Sequence, residues 1–505
     1  MDSSTSTCLK HVSLLKGEQK QHAACCTSFY HIRKLKDKGT LLILVWSFLI
    51  SGTYNFYMDQ NQGLVFDIQL IVGGLTLPIA GWLADIYFGR YRTIYWSIWS
   101  LWGSITLATA SQVVAQLVPG SYNHIHQYVN GALMMTGAIG FGGFQANIIQ
   151  FGIDQLCDAS SNEITSFISW YVWCAYSSQV AVEVVLKGLD CAQSGGSQLI
   201  GSLIMCTQCS IALVSVSLFN HWFIKEPATK NPIRMVYGVI KYAIKNKQPR
   251  LRSAFTYCED ELPSRIDFGK SKYGGPFTIE QVEDVKTFLR LLVFVFTMSI
   301  LVGILIAFNM LKDQLSNQLA AAESDIMVNE CYSEKLTQQI FIFSWVIVIP
   351  FYEFVFYPLF NKCLAELGSR TKITFGLLLH VAAIVAVMVV LVVARYNTLK
   401  LNNNNGKHQH NATIQCIFHK ENSALSSGLN YQWMTIPNIL YSLSIMALNI
   451  GILEFIISQT PYTMRGLLMG SANGMLALDI ALTAAVSYPF TGMPSIWGKG
   501  VTHCY

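Results

Sequence analysis

"GWLADIYFGRYRT", Gly81 to Thr93, sets a glycine, an aspartate, a second glycine and two arginines between two long apolar runs. Gly81 and Gly89 allow a sharp turn and a close approach of the flanking segments. Asp85 precedes the turn, and Arg90 and Arg92 follow the second glycine. The arginines face either headgroups or a carboxylate on a neighbouring helix. Such a cluster can hold one side of a helical protein shut in one conformation and release it in another. It can equally be simple topogenic charge. Spacing alone leaves both readings open.

The rest of the chain shares the apolar character of those flanks. Of 505 residues, 52% are hydrophobic and 12% charged. A soluble domain carries about a quarter charged residues, so the composition points to the membrane. The formal charge of +5 matters only through where it lies. No nucleic-acid role follows from it, because the basic stretch after residue 223 is mixed with Glu259, Asp260 and Glu261. Nor does the chain read as an enzyme: its acids are scattered and no HExxH occurs. "GKHQH" at 406–410 reads as a solvated loop, and no metal or cofactor is expected. Of 13 cysteines, Cys174, Cys206 and Cys209 lie in apolar runs and read as small buried hydrophobes. A bridge between Cys331 and Cys416 is conceivable, as is palmitoylation at Cys25 or Cys26. The first 39 residues are polar and hold no signal peptide, so the first span must do the targeting.

A helix crossing the hydrocarbon needs roughly 20 largely apolar residues. Eleven segments qualify: 40–58, 65–85, 92–113, 129–150, 164–185, 199–222, 289–310, 338–360, 373–395, 431–457 and 464–489. Basic residues orient them. Arg33, Lys34, Lys36 and Lys38, then Arg90 and Arg92, then the Lys- and Arg-rich 223–288 segment, then Lys362, Arg370 and Lys372 all fall on one side. That side is cytoplasmic and holds the N-terminus. Asn411 begins a glycosylation sequon in the 396–430 loop, which the same count places outside. The predicted organisation is a cytoplasmic tail (1–39), a six-helix bundle (40–222), a cytoplasmic connector (223–288), a five-span bundle (289–489) and a C-terminal tail (490–505). Residues 231–247 read as an amphipathic basic helix. "YGGPFTIEQVEDVKTFLR" reads as a glycine turn into an acidic helix start at Thr278, which runs into span 7. Two readings stay open: that helix lies on the membrane, or the connector is an ordinary tether, the reading favoured here.

Six spans, a long connector and five more spans are the pattern of a two-half transporter. The motifs carry this further. Gly81, Ala84, Asp85, Gly89, Arg90, Thr93 and Ile94 resemble the loop 2–3 signature of the major facilitator superfamily. "GFGGFQANIIQFGIDQ" (140–155), "SWYVWCAYSS" (169–178) and "EFIISQTPYTMRG" (454–466) are similar to the span 4, span 5 and span 10 motifs of its proton-dependent oligopeptide transporter family. The resemblance implies an all-α membrane protein of two pseudo-symmetric helical bundles. It also implies secondary active transport of di- or tripeptides, or peptide-like small solutes, by alternating access with proton symport. The chain is expected to act as a monomer in the lipid bilayer, in the plasma membrane rather than the lysosome because no sorting signal is read.

Acids inside spans usually face a cavity or a partner. The resemblance makes Glu454 the carboxylate that receives a substrate amino group. Gln145, Asn147, Tyr54, Tyr57, Tyr171 and Trp173 are its candidate neighbours in the cavity wall. Glu183, Glu353 and Arg465 join Asp85, Arg90 and Arg92 as candidate coupling or gating groups. The family pattern also fails in three places. Its span 1 charges fall on Leu49, Gly52 and Thr53, and its span 4 lysine on Gln145. A glutamine donates a hydrogen bond but cannot neutralise a carboxylate. The family has at least twelve spans and eleven are read here, which implies either a truncated product or a lost last helix. The lost charges keep two alternatives open: an uncoupled facilitator of another small solute, and a non-transporting sensor or inactive paralogue.

Overall fold

The computed structural model describes residues 38–59, 64–117, 122–156, 159–191, 197–225, 231–246, 263–324, 346–356, 368–405, 431–461 and 464–474. Asn411, Cys25, Cys26, Cys331, Cys416 and the 490–505 tail lie outside them, as do the side chains of Tyr57 and Glu183. The described residues form helices: α1 (Lys38–Asp59), α2 (Leu64–Leu83), α3 (Arg90–Leu117), α4 (Tyr122–Gln155), α5 (Ser161–Cys191), α6 (Ser197–Leu218), α7 (Pro232–Lys245), α8 (Ile279–Ser324), α9 (Ser369–Asn405) and α10 (Thr435–Gln459). Shorter helical stretches cover 346–356 and 465–474.

Helical periodicity decides which face of each N-terminal helix turns inward. α1 contributes Ile43, Trp46 and Ile50 to a shared core, α3 contributes Ile94, Ile98, Leu101 and Ile105, and α4 adds Phe144, Ile148 and Phe151. The buried indoles find partners: Trp46 donates to Ser215 at 2.7 Å and Trp102 to Ser210 at 2.8 Å, tying α1 and α3 to α6. The outward faces are apolar as well. On α9, Leu378, Val381, Val385, Val389 and Val392 are all exposed at helical spacing. A helix apolar all round suits hydrocarbon rather than water. Among the described residues, five helical windows are long and apolar enough to cross a bilayer, including Tyr128–Gln155 and Thr435–Gln459.

Three local features place the site. α2 holds Pro78 and ends in a wide π turn, Ala84–Phe88, and Gly89 alone separates that turn from α3. Gly89 has φ 75°, a conformation that strains any residue with a Cβ. α8 is one 46-residue helix, so the acidic start at Thr278 and span 7 are continuous. Its entry is a capping box: Thr278 Oγ1 accepts from the Gln281 N–H, and the Thr278 N–H donates to Gln281 Oε1.

The described residues of the connector, 231–246 and 263–288, hold defined structure. α7 begins on an Asn231 cap with Pro232 in its first turn. Turns at Asp267–Gly269 and Ser271–Tyr273 fold back, so that Ser271 donates to the Phe277 carbonyl and Phe277 to that of Gly269. Asp267 pairs with Lys270 and Lys286, and Lys270 also holds Glu283 on α8. Charge, turn and apolar contact together make this segment a folded module.

Candidate functional site

We call the end of the bundle bearing Gly89 the connector end. Two networks meet there. In the first, Arg90 at the start of α3 reaches Asp85 at 3.3 Å and also pairs with Asp154 near the end of α4. Asp154 accepts from Gln150 at 3.1 Å, one helical turn earlier. All three charged groups are buried. The second oxygen of Asp85 accepts the Leu467 N–H at 3.1 Å, at the first turn of helix 465–474. A carboxylate is well placed there, because a helix start presents unpaired N–H groups and a positive dipole end. Arg465 is buried at the same helix start, whereas Arg92 is exposed and stands apart. The opening motif is therefore a link between the two halves of the chain, made through Asp85 and Arg90.

The second network centres on α5. Glu454, near the end of α10, pairs with Lys372 on α9 at 2.8 Å and accepts from Thr165 on α5 at 2.9 Å. The adjacent Ser166 donates to Glu353 at 3.3 Å. Deeper along α5, Trp173 donates to the Val346 carbonyl at 2.9 Å, and Asn449 donates to the Tyr176 hydroxyl at 2.6 Å. Trp170 lies edge-on to Trp173 and packs on Phe354. One face of α5 thus meets the 346–356 stretch and α10, whose Glu454 is held in turn by Lys372 of α9.

The structure gathers only part of the expected cavity wall. Glu454, Glu353 and Trp173 converge on α5. Tyr54 instead stacks on Phe141, with ring centroids 3.7 Å apart and planes within 3°, in a separate corner of α1, α2 and α4. Tyr171 is buried among core side chains and Gln145 is half-buried on α4. Asn147 donates to the Gly143 carbonyl at 2.9 Å, and its Oδ1 is a buried acceptor with no donor among the described residues. Thr53, which stands where the family carries a base, turns its hydroxyl back onto the Leu49 carbonyl at 2.7 Å. Lys372 is the residue that sequence reasoning missed. It was grouped with the loop charges, and nothing in its local pattern links it to a glutamate 82 positions away. Among the described residues no group of three or more His, Cys, Asp or Glu gathers to hold a metal. The arrangement offers reversible ion pairs and hydrogen bonds between helices rather than an activated nucleophile.

Comparison with known proteins places this geometry. The profile of the POT family (PTR2) matches residues 91–491. The chain is similar to human solute carrier family 15 member 5, with 23% identity covering 51% of this chain and 45% of that protein. It is similar also to mouse solute carrier family 15 member 3, with 22% identity covering 87% of this chain and 80% of that protein. Against the first three curated relatives the match spans about half of their length, 45%, 51% and 47%. Among solved structures, that of an auto-inhibited POT family peptide transporter superposes with a TM-score of 0.54 at 16% identity, covering 93% of this chain and 92% of that one. The fold is that of the major facilitator superfamily, all-helical with two bundles.

Proposed function

The chain belongs to the POT family, and from that premise we propose that it is an integral-membrane transporter of short peptides or peptide-like small solutes, not an enzyme. It works by alternating access between its two halves. The observation that carries this reading is how the halves touch. Their cross-contacts at the connector end run through Asp85 with Leu467, Thr165 with Glu454 and Ser166 with Glu353. These are polar contacts that can break and reform, set beside apolar packing that the halves also share. Glu454 is the group proposed to receive a substrate amine. In the present state Lys372 already neutralises it, so an incoming amine has to displace that ammonium. Glu454 and Glu353 are also the proposed proton carriers, since the span 1 charges are absent. The chain is proposed to sit in the plasma membrane with its N-terminus inside.

A second reading, an uncoupled facilitator, draws on Thr53 and Gln145. Neither supplies the cation that a peptide carboxylate would seek. One experiment separates the two. The purified protein in liposomes is given a labelled dipeptide with and without an inward proton gradient, beside Glu454→Gln. Gradient-driven uptake that the variant loses supports coupled transport through Glu454. Equal uptake in both conditions supports the facilitator. No uptake by folded protein favours a different solute or the non-transporting reading.

A further inference from the structure

α7 turns two different ridges outward. Its inner side packs Val239 and Ala243 into the module, with Gly238 and Tyr242 against Phe277. The outer side is not the polar surface that a water-facing helix carries. Ile233 is 44% exposed, Tyr237 63% and Ile244 73%. At about 100° per residue these three fall within about 40° of one another. Arg234, Lys241 and Lys245 occupy the next sector and are also exposed. The 14-residue helix contains no Asp or Glu. Nearby, Asp267 and Glu283 are held by Lys270 and Lys286. The Lys241 ammonium lies 5.5 Å from the centre of the Tyr237 ring, joining the basic ridge to the apolar one.

The position of α7 narrows the choice of partner. It packs on the first turns of α8, and the apolar run of α8 opens near residue 289. Ten helical residues span about 15 Å, which keeps α7 close to the headgroup layer. An apolar ridge beside a basic ridge, with no acid between, matches a bilayer surface that presents hydrocarbon next to anionic headgroups. We propose that the outer face of α7 docks on the anionic leaflet at the connector end, with Ile233, Tyr237 and Ile244 entering the headgroup boundary and Arg234, Lys241 and Lys245 binding acidic headgroups. This inference does not depend on which solute the protein carries.

The test uses the full-length protein in lipid nanodiscs of phosphatidylcholine, alone or with phosphatidylserine added. An environment-sensitive fluorescent amino acid is placed at position 237 or 244, and at the exposed position 272 as control. With phosphatidylserine present, the probes at 237 and 244 should shift to the blue. They should also lose quenching by aqueous iodide and gain quenching by nitroxide-labelled lipid, while position 272 stays water-quenched. Arg234→Gln/Lys241→Gln/Lys245→Gln, whose residues are all exposed, should abolish that lipid dependence without changing the melting temperature. Iodide quenching at 237 and 244 that is the same in both lipids, with none from nitroxide lipid, overturns the proposal and leaves the face to a protein partner. Nitroxide quenching that ignores phosphatidylserine and survives the triple substitution overturns the anionic part.

Discussion

Lys372 shows how much a single side chain can rest on another. Its ammonium and the Glu454 carboxylate are 11% and 17% exposed and sit 2.8 Å apart. Removing one partner of a buried pair strands the other, at a cost of about 3 kcal/mol or more. Lys372→Met should therefore lower stability by about 3 kcal/mol, read from denaturation in detergent. Lys372→Met combined with Glu454→Gln should recover most of that loss, because no uncompensated charge is left. A loss in the double variant equal to the sum of the losses in Lys372→Met and Glu454→Gln alone would mean the pair contributes no coupling. Gly89 is a simpler case: its φ of 75° with ψ of 152° should make Gly89→Ala cost about 1–3 kcal/mol by the same measurement. These two residues mark what the sequence made legible. Gly89 is readable because the requirement is local, a tight turn at positive φ between two long helices. The Asp85 and Arg90 charges were readable as a cluster for the same reason. Lys372 was not, because its partner lies on another helix and its position among loop charges already had a sufficient explanation. Asp154 stood inside a quoted motif, yet only the packing of α3 on α4 shows that it completes the Arg90 pair.

Between elements, the closest approach is that of α2 to helix 465–474. Gly466, Gly470 and Gly474 recur every four residues, so they line one face of that helix. A Cβ built on Gly466 would lie 2.5 Å from the Asp85 carboxylate, one on Gly470 2.5 Å from the Leu77 carbonyl, and one on Gly474 2.7 Å from the Gly74 carbonyl. Backbone cannot yield as a side chain can, so any larger residue pushes the two helices apart. Gly470→Leu should therefore open the connector end, seen as a longer spin-label distance between α2 and helix 465–474. An unchanged distance would show that these helices do not set the closure. The four-residue period was present in the sequence, but only a facing backbone gives it meaning. The connector module makes a prediction of the opposite kind, an insensitivity. Burial pushes the Asp267 carboxyl up, but hydrogen bonds from Lys270, Lys286 and Ser264 outweigh it and hold it well below the usual carboxylate range. The hydrogen bond from Lys270 lowers Glu283 from its ordinary 4.5. A depressed carboxylate stabilises the fold fully above its unfolded pKa and loses that contribution as pH falls through the folded value. The module should then keep constant hydrogen-exchange protection between about pH 5 and pH 8, weakening only in stronger acid. Loosening at pH 6 would mean that other groups govern it.

Across the whole molecule, the proposed closure at the connector end draws on polar contacts from each half beside apolar packing that both share. α5 contributes two of them from adjacent residues, Thr165 to Glu454 and Ser166 to Glu353. Both hydroxyls have other uses for their hydrogen bonds in water, so each net contribution is modest, about 1 kcal/mol or somewhat more when the acceptor is charged. Losing both should weaken closure by about 2 kcal/mol, a roughly 30-fold change in a two-state equilibrium. That is large enough to redistribute the protein between states if closed and open forms differ by only a few kcal/mol. The double variant Thr165→Ala/Ser166→Ala leaves Lys372 on Glu454 and leaves the Asp85 link to helix 465–474 untouched. It should fold normally while spending more time open at the connector end. The check is accessibility: a cysteine placed at position 169, which is buried on α5 one turn further in, should react faster with a water-soluble maleimide applied from the connector side, in a background whose native cysteines have been replaced. If the rate is unchanged, the hydroxyl contacts follow closure rather than cause it, and the α2 interface alone sets the balance. If the rate rises and falls again on adding a transported solute, the two halves are being drawn together by what lies between them, which is what alternating access requires.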